Sequence, residues 1–115
     1  MANGRVLIEA PQLLIAALDD QRESGSGPWI HVPPGLTGWS FALKTGQVLA
    51  DGDRIEVMVA NDALPPAPEH DGAVQVILQR NVVAGALSGM NYRWFKVVKV
   101  AGTQASPVTV YAHLT

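Results

Sequence analysis

Residues 38–44 read Gly-Trp-Ser-Phe-Ala-Leu-Lys, and this short stretch indicates the fold class. Its large apolar side chains, Trp39, Phe41 and Leu43, alternate with small or polar ones. Successive side chains of a β-strand point to opposite faces, so a period of two predicts a strand with one buried face.

Comparable segments occur on both sides of this strand. Alternation or apolar enrichment typical of strands recurs at residues 29–32, 54–59, 74–79, 82–87, 92–100 and 108–114. Glycines, prolines and aspartates separate these segments, as in chains with many short strands and turns. About eight strands at short spacing, without a convincing helix, predict an all-β fold. The expected architecture is a two-sheet antiparallel β-sandwich, for which jelly-roll connectivity is one option.

The period of two also predicts which side chains form the core between the sheets. The expected inward residues are Trp39, Phe41, Ile55, Val57, Val76, Trp94 and Val110, with the aromatic residues Trp29 and Phe95 added to them. Strict alternation fails within residues 92–100. This failure predicts either a β-bulge or burial on both faces of that strand.

The chain is expected to form a single domain over residues 1–115, and its N-terminal part is the most ambiguous. Residues 1–18 contain an apolar stretch that a proline interrupts. This stretch predicts an N-terminal strand or an arm that reaches a neighbour, and a short helix over residues 12–20 is the alternative. The polar residues 19–27 and the proline-rich residues 61–72 predict two exposed loops.

The composition argues against nucleic acid as a partner. The net charge is −2, so no basic field is available to hold phosphates. Charged residues make up only 16% of the chain, whereas about 25% is typical. The deficit indicates either a surface that a partner covers or simply a β-rich core with a sparsely charged exterior. Arg93, Lys96 and Lys99 are expected to solvate an exposed or edge strand.

A search for catalytic or metal-binding groups finds no convincing set. The chain has no cysteine and no Gly-x-Ser-x-Gly motif, which excludes disulfides, thiolate metal sites and a nucleophile elbow. His31, His70 and His113 lie far apart in the sequence. The longest apolar run, residues 13–18, is too short to span a bilayer. We therefore expect no enzymatic activity, no cofactor, no metal and no membrane partner.

Seven apolar residues are predicted to lie where a partner can reach them. Val6, Leu7, Ile8, Leu13 and Leu14 belong to the N-terminal segment, and Met58 and Ile77 occupy outward positions of predicted strands. Apolar side chains held at the surface mark protein–protein interaction sites. These residues form the candidate partner-binding set, and they fit a homo-oligomer as well as contact with another protein.

Four segments resemble those of small bacteriophage virion accessory proteins. They are residues 27–32 (Gly-Pro-Trp-Ile-His-Val), 38–43 (Gly-Trp-Ser-Phe-Ala-Leu), 92–100 (Tyr-Arg-Trp-Phe-Lys-Val-Val-Lys-Val) and 107–111 (Pro-Val-Thr-Val-Tyr). The resemblance implies a structural β-sandwich of the virion, in the leading role of a capsid decoration or cement protein that stabilises the head shell. Its implied partner is the major capsid protein or another virion protein, and its implied location is the virion, assembled in the host cytoplasm. Such proteins have no catalytic residues to carry over.

The same resemblance leaves a second role open, that of a tail, baseplate or head-fibre component that binds a receptor or a carbohydrate. Sugar-binding sites present exposed aromatic rings on loops, where the rings can stack on a sugar. The two long predicted loops, residues 19–27 and 61–72, contain no aromatic residue. The decoration role is therefore placed first.

Overall fold

The computed structural model describes residues 12–115, except for the side chains of Ala73 and Val76. The expectations for residues 6–8 and for the Val76 side chain lie outside this description. Within it, the chain forms nine strands and no helix, which confirms the all-β prediction. The strands are β1 (Leu13–Gln21), β2 (Gly25–Ser26), β3 (Ile30–His31), β4 (Trp39–Leu43), β5 (Arg54–Ala60), β6 (Ala73–Gln79), β7 (Ala84–Leu87), β8 (Trp94–Val100) and β9 (Val108–Leu114). The described residues accordingly contain no helix long and apolar enough to cross a membrane.

The strands form two antiparallel sheets, as the sandwich prediction requires. The four-stranded sheet has the order β1-β9-β4-β7. The five-stranded sheet has the order β2-β8-β5-β6, and β3 also pairs with β8. Apolar side chains of both sheets meet between them in one buried cluster.

The connectivity is that of a jelly roll. Strands β2 and β3 follow one another along β8, because the Gly27 amide between them donates to the Val97 carbonyl at 3.0 Å. With β2 and β3 taken as one interrupted strand, the chain consists of four antiparallel pairs: β1–β9, β2/β3–β8, β4–β7 and β5–β6. Successive pairs alternate between the two sheets. A long ribbon folded over in this way is the jelly-roll option that the sequence left open.

The core contains most of the residues that period-two spacing predicts. Buried side chains include Trp39, Phe41, Ile55, Val57 and Val110. The Phe95 ring joins the two sheets, since its centroid lies 5.3 Å from that of Trp39 and 6.1 Å from that of Phe41. The prediction is wrong for Trp94 and Trp29, which are only half-buried.

The position of Trp94 follows from the parity of β8. Phe95 and Val97 point into the core, and both are fully buried. Trp94 therefore lies on the outer side of the same strand. Strand β8 has no register shift against β5, so the failed alternation reflects burial on both faces rather than a bulge.

The N-terminal segment is a strand from Leu13 onward, and the helix alternative is wrong. Register shifts against β9 occur after Ala16 and after Leu18, and they bring the adjacent side chains of Ala17 and Leu18 both into the core. Strand β1 continues to Gln21, so residues 19–21 belong to the sheet and not to the predicted loop.

A second irregularity explains why Ile77 is not at the surface. In the β5–β6 pair, Ile55 lies opposite Leu78 while the next residue, Glu56, lies opposite Val76. Ile77 is therefore the extra residue of a bulge. Both Ile77 and Leu78 are buried, with 9% and 0% of their surface exposed. The prediction of an outward Ile77 is wrong because it assumed uninterrupted alternation.

Candidate functional site

Residues 61–72 cover part of the outer face of the five-stranded sheet, around Met58 and Lys96. The Lys96 Nζ donates to the carbonyls of Pro68 and His70 at 3.0 and 2.7 Å. It also lies 4.9 Å from the centroid of the Trp29 ring, an arrangement that a cation–π contact stabilises. The Trp29 indole N–H in turn donates to the Ala67 carbonyl at 3.2 Å. These contacts hold the connection between β5 and β6 against the sheet.

This cover corrects two predictions. Met58, directly opposite Lys96 in the β5–β8 ladder, is buried, with only 7% of its surface exposed. It is therefore not an outward apolar surface that a partner could reach. Lys96 is also buried and does not solvate the strand. Strand β8 lies inside the sheet, with neighbours on both sides, whereas the prediction treated it as exposed or at an edge.

Lys99 lies near the C-terminal end of β8, and its side chain is buried inside the sandwich. Its Nζ donates to the carbonyls of Gln21 and Arg22 at 3.1 and 2.7 Å, and also to the carbonyl of Ser106. The same nitrogen lies 3.5 Å from Asp53 Oδ2, and both side chains are fully buried. Lys99 therefore joins the end of β1, the start of β5 and the β8–β9 connection at one point.

Asp53 completes this buried ion pair. Burial by itself raises the pKa of a carboxyl group, but the Gly102 amide and the Lys99 ammonium favour the ionised form and bring the pKa of Asp53 below its ordinary value. The Gly102 amide donates to Asp53 Oδ1 at 2.6 Å. The Asp53 carboxyl is therefore ionised at neutral pH, and its contact with Lys99 holds three chain segments together.

The outer face of the four-stranded sheet is different, because no described segment covers it. Two rows of side chains cross all four strands there. One row is Leu14, His113, Ser40 and Ala86, and the next is Ala16, Tyr111, Ala42 and Ala84. None of the eight is Asp, Glu, Lys or Arg. Leu14 is 71% exposed and Tyr111 is 40% exposed. We call these eight residues the uncharged patch.

The structure separates the candidate partner-binding residues. Leu14 lies in the uncharged patch, whereas Leu13 alternates with it and packs against the core. Met58 and Ile77 are buried and do not join Leu14. Tyr111 and the alanines of the patch were not among the predicted partner-binding residues. Their signal was present as the small or aromatic residues that alternate with inward apolar residues, as on β4 and β9.

A cleft of about 590 Å³ opens at one end of the sandwich. Its lining residues are 31–37, 61, 63 and 90–94, from the β3–β4, β5–β6 and β7–β8 connections and the adjoining strand ends. Jelly-roll connectivity brings these distant segments to the same end. No local motif could therefore have marked the site.

Hydrogen bonds between the connections hold the cleft walls in place. The Val32 amide donates to the Arg93 carbonyl at 2.8 Å, and the Met90 amide donates to the Thr37 carbonyl at 3.0 Å. The Arg93 amide donates to Asn61 Oδ1 at 2.9 Å. Each of these connections is thus tied to another.

Aromatic rings occupy fixed positions in this cleft. The His31 and Trp94 rings meet edge to face, with 5.1 Å between centroids. The Trp94 indole N–H donates to the Asp62 carbonyl at 2.9 Å. The Tyr92 ring packs against buried Trp39, with 6.4 Å between centroids. Tyr92 precedes β8 rather than belonging to it, so the β7–β8 connection presents an aromatic ring that the loop prediction did not contain.

The described residues do not bring the histidines together. His31 lies in the cleft, His70 lies in the cover over the five-stranded sheet, and His113 Nε2 lies 3.0 Å from Gln12 Oε1. Within residues 12–115, no group of three or more His, Asp or Glu side chains is placed to hold a metal ion.

Comparisons of the chain with protein-family models, with curated proteins and with solved structures find no match. The case for a function therefore depends on the residues themselves.

Proposed function

We propose that this protein is a non-catalytic structural component of a bacteriophage particle, bound to the head shell as a decoration protein. The observation that carries the proposal is the uncharged patch. The chain covers part of the outer face of one sheet with its own residues 61–72, which bury Met58 and Lys96. The outer face of the other sheet carries eight side chains without a formal charge. Such a face is suited to contact with another protein.

The size of the patch fits the centre of an interface. Four strands about 4.8 Å apart and two rows of side chains give an area on the order of 300 Å². A stable protein–protein interface buries about 800 Å² on each partner and surrounds an apolar centre with a polar rim. Gln12 and Thr115 are exposed polar residues near the ends of β1 and β9, where such a rim is needed.

The proposed partner is the major capsid protein or another protein of the virion, met during assembly in the host cytoplasm. The low share of charged residues, 16%, supports a surface that contacts another protein rather than bulk solvent. The same patch also permits contact between copies of this chain around a symmetry axis of the shell.

The first experiment asks whether the protein belongs to the particle. Virions are purified by density gradient from cells that carry the gene, and their proteins are quantified by mass spectrometry. We expect the protein in the particles at a fixed number of copies relative to the major capsid protein. Its absence from purified particles would contradict the proposal.

The second experiment tests the patch with a matched pair of variants. Leu14→Glu puts a charge into the uncharged patch, and Leu64→Glu puts the same charge on residues 61–72, at a leucine that is 77% exposed. Both variants should fold, because neither leucine is buried. In co-sedimentation with heads that lack the protein, we expect Leu14→Glu to lose attachment and Leu64→Glu to keep it. Equal attachment of both variants would remove the patch from the mechanism.

A further inference from the structure

We propose that the cleft at the end of the sandwich is a binding site for acidic saccharides, such as chains that contain uronic or sialic acid. This site is separate from the uncharged patch, and the inference does not depend on attachment to a shell. It goes beyond the proposed function because it gives the protein a second ligand of a different chemical class.

The cleft combines apolar ring surface with unused polar groups. Trp94 and Tyr92 line it with half-buried rings, which present apolar faces of the kind that pack on the C–H face of a sugar ring. The Tyr92 hydroxyl and the Asn91 side-chain amide form no hydrogen bond with any described residue. A sugar needs both donors and acceptors around its hydroxyl groups, and a phenol and a carboxamide supply both.

The charge of the cleft favours an anionic ligand. Arg93 lines it and forms no ion pair within residues 12–115, while none of the lining residues is Asp or Glu. The whole chain, by contrast, carries a net charge of −2. A guanidinium group binds a carboxylate through two parallel hydrogen bonds, so Arg93 selects for a sugar acid.

The same groups favour a saccharide over a nucleic acid. A single-stranded nucleic acid is bound along a positively charged groove that follows several phosphates. Here Arg93 is the one arginine or lysine among the lining residues, which also include His31. The other polar groups are amides and hydroxyls suited to sugar hydroxyls. The volume of about 590 Å³ is that of an ordinary small-ligand site, large enough for a short oligosaccharide.

The test is isothermal titration with tetragalacturonic acid, with its methyl ester, and with a single-stranded oligonucleotide, after screening on an array of acidic and neutral glycans. We expect the protein to bind at least one acidic glycan. The affinity for the neutral or esterified form of that glycan should be lower by about tenfold or more, because esterification removes a charge-assisted hydrogen bond. A protein that binds no acidic glycan, that prefers the neutral forms or that binds only the oligonucleotide would overturn the proposal.

Variants then locate the bound saccharide. Arg93→Gln and Trp94→Ala should each weaken binding about tenfold or more. Arg80→Gln, at an exposed arginine outside the cleft, and Tyr111→Ala, at an exposed ring of the uncharged patch, should leave it unchanged. Trp94→Phe keeps a ring and should retain more affinity than Trp94→Ala, which separates ring stacking from a folding defect checked by circular dichroism. Unchanged affinity in Arg93→Gln and Trp94→Ala would place the saccharide elsewhere and overturn the site.

Discussion

Replacement of Lys99 by methionine tests the buried ion pair most directly. Methionine has a similar length but cannot donate to the carbonyls of Gln21, Arg22 and Ser106 that the Lys99 ammonium contacts. It also leaves the Asp53 carboxylate buried without its cation, which lies at 3.5 Å in the intact pair. Removing one partner of a buried pair costs about 3–5 kcal/mol, because the remaining charge is uncompensated.

This cost is large for a domain of this size. Folded domains are stable by about 5–15 kcal/mol, so Lys99→Met should remove about a fifth or more of the free energy of unfolding. The melting temperature should fall by about 12–20 °C, at roughly 4 °C per kcal/mol. Urea unfolding followed by tryptophan fluorescence measures the free energy, and circular dichroism confirms that the folded state is still a β-sandwich.

Two further variants make the result specific. Lys44→Met removes an exposed lysine and should change the free energy of unfolding by no more than about 0.5 kcal/mol. The double variant Lys99→Met with Asp53→Asn removes both charges, and it should be more stable than the sum of the single effects by about 1–3 kcal/mol. A Lys99→Met protein as stable as wild type, or strict additivity in the double variant, would refute the argument that the pair holds the three segments together.

Three other predictions follow from the packing. Trp39→Ala should lower the free energy of unfolding by about 3–5 kcal/mol, whereas Trp94→Ala should lower it by only about 1–2 kcal/mol because the Trp94 ring is half-buried. Equal losses of free energy in urea unfolding would contradict the core assignment. Asp53→Asn should cost stability by an amount that is constant near neutral pH and shrinks as pH falls below the ordinary carboxyl range and through the lowered pKa of Asp53, because the group stabilises the fold only while ionised. A difference that does not shrink at all with falling pH in the same assay would count against it. Gly27→Ala should cost about 3 kcal/mol, since an added Cβ would lie 2.0 Å from the Ala17 carbonyl oxygen; a normal melting temperature would show that the two segments can move apart.

The alternating segments were enough to predict the architecture. The inward positions of β4, β5 and β9 were correctly assigned, because each of these strands has one apolar and one mixed face. Strand β8 was harder, since apolar residues occupy both parities and the sequence could not decide between Trp94 and Phe95 as the core residue. The bulge at Ile77 could not be predicted from the sequence of β6 either, because the extra residue is defined by its pairing with the partner strand β5.

The buried lysines were missed for a physical reason. A lysine in a strand usually reaches solvent, and nothing in the sequence near Lys99 signals that carbonyls of Gln21 and Ser106 will surround it. The same holds for the cleft, where His31 and Trp94 come from distant segments. Leu13 and Leu14 were placed together in the candidate partner-binding set, whereas the strand alternation separates them: Leu14 is exposed and Leu13 packs against the core.

The pairing of β1 with β9 has a consequence for how the protein is made. Leu13 pairs with Leu114, and β9 separates β1 from β4 in the four-stranded sheet. While a ribosome is still translating the residues before β9, β1 has no partner strand and one edge of β4 is open. The nascent chain therefore exposes unpaired apolar strands until residue 114 has emerged, and contacts of such long range form slowly. The four-stranded sheet can therefore be completed only after β9 has been synthesised, and until then the unpaired strands are candidate substrates for chaperones.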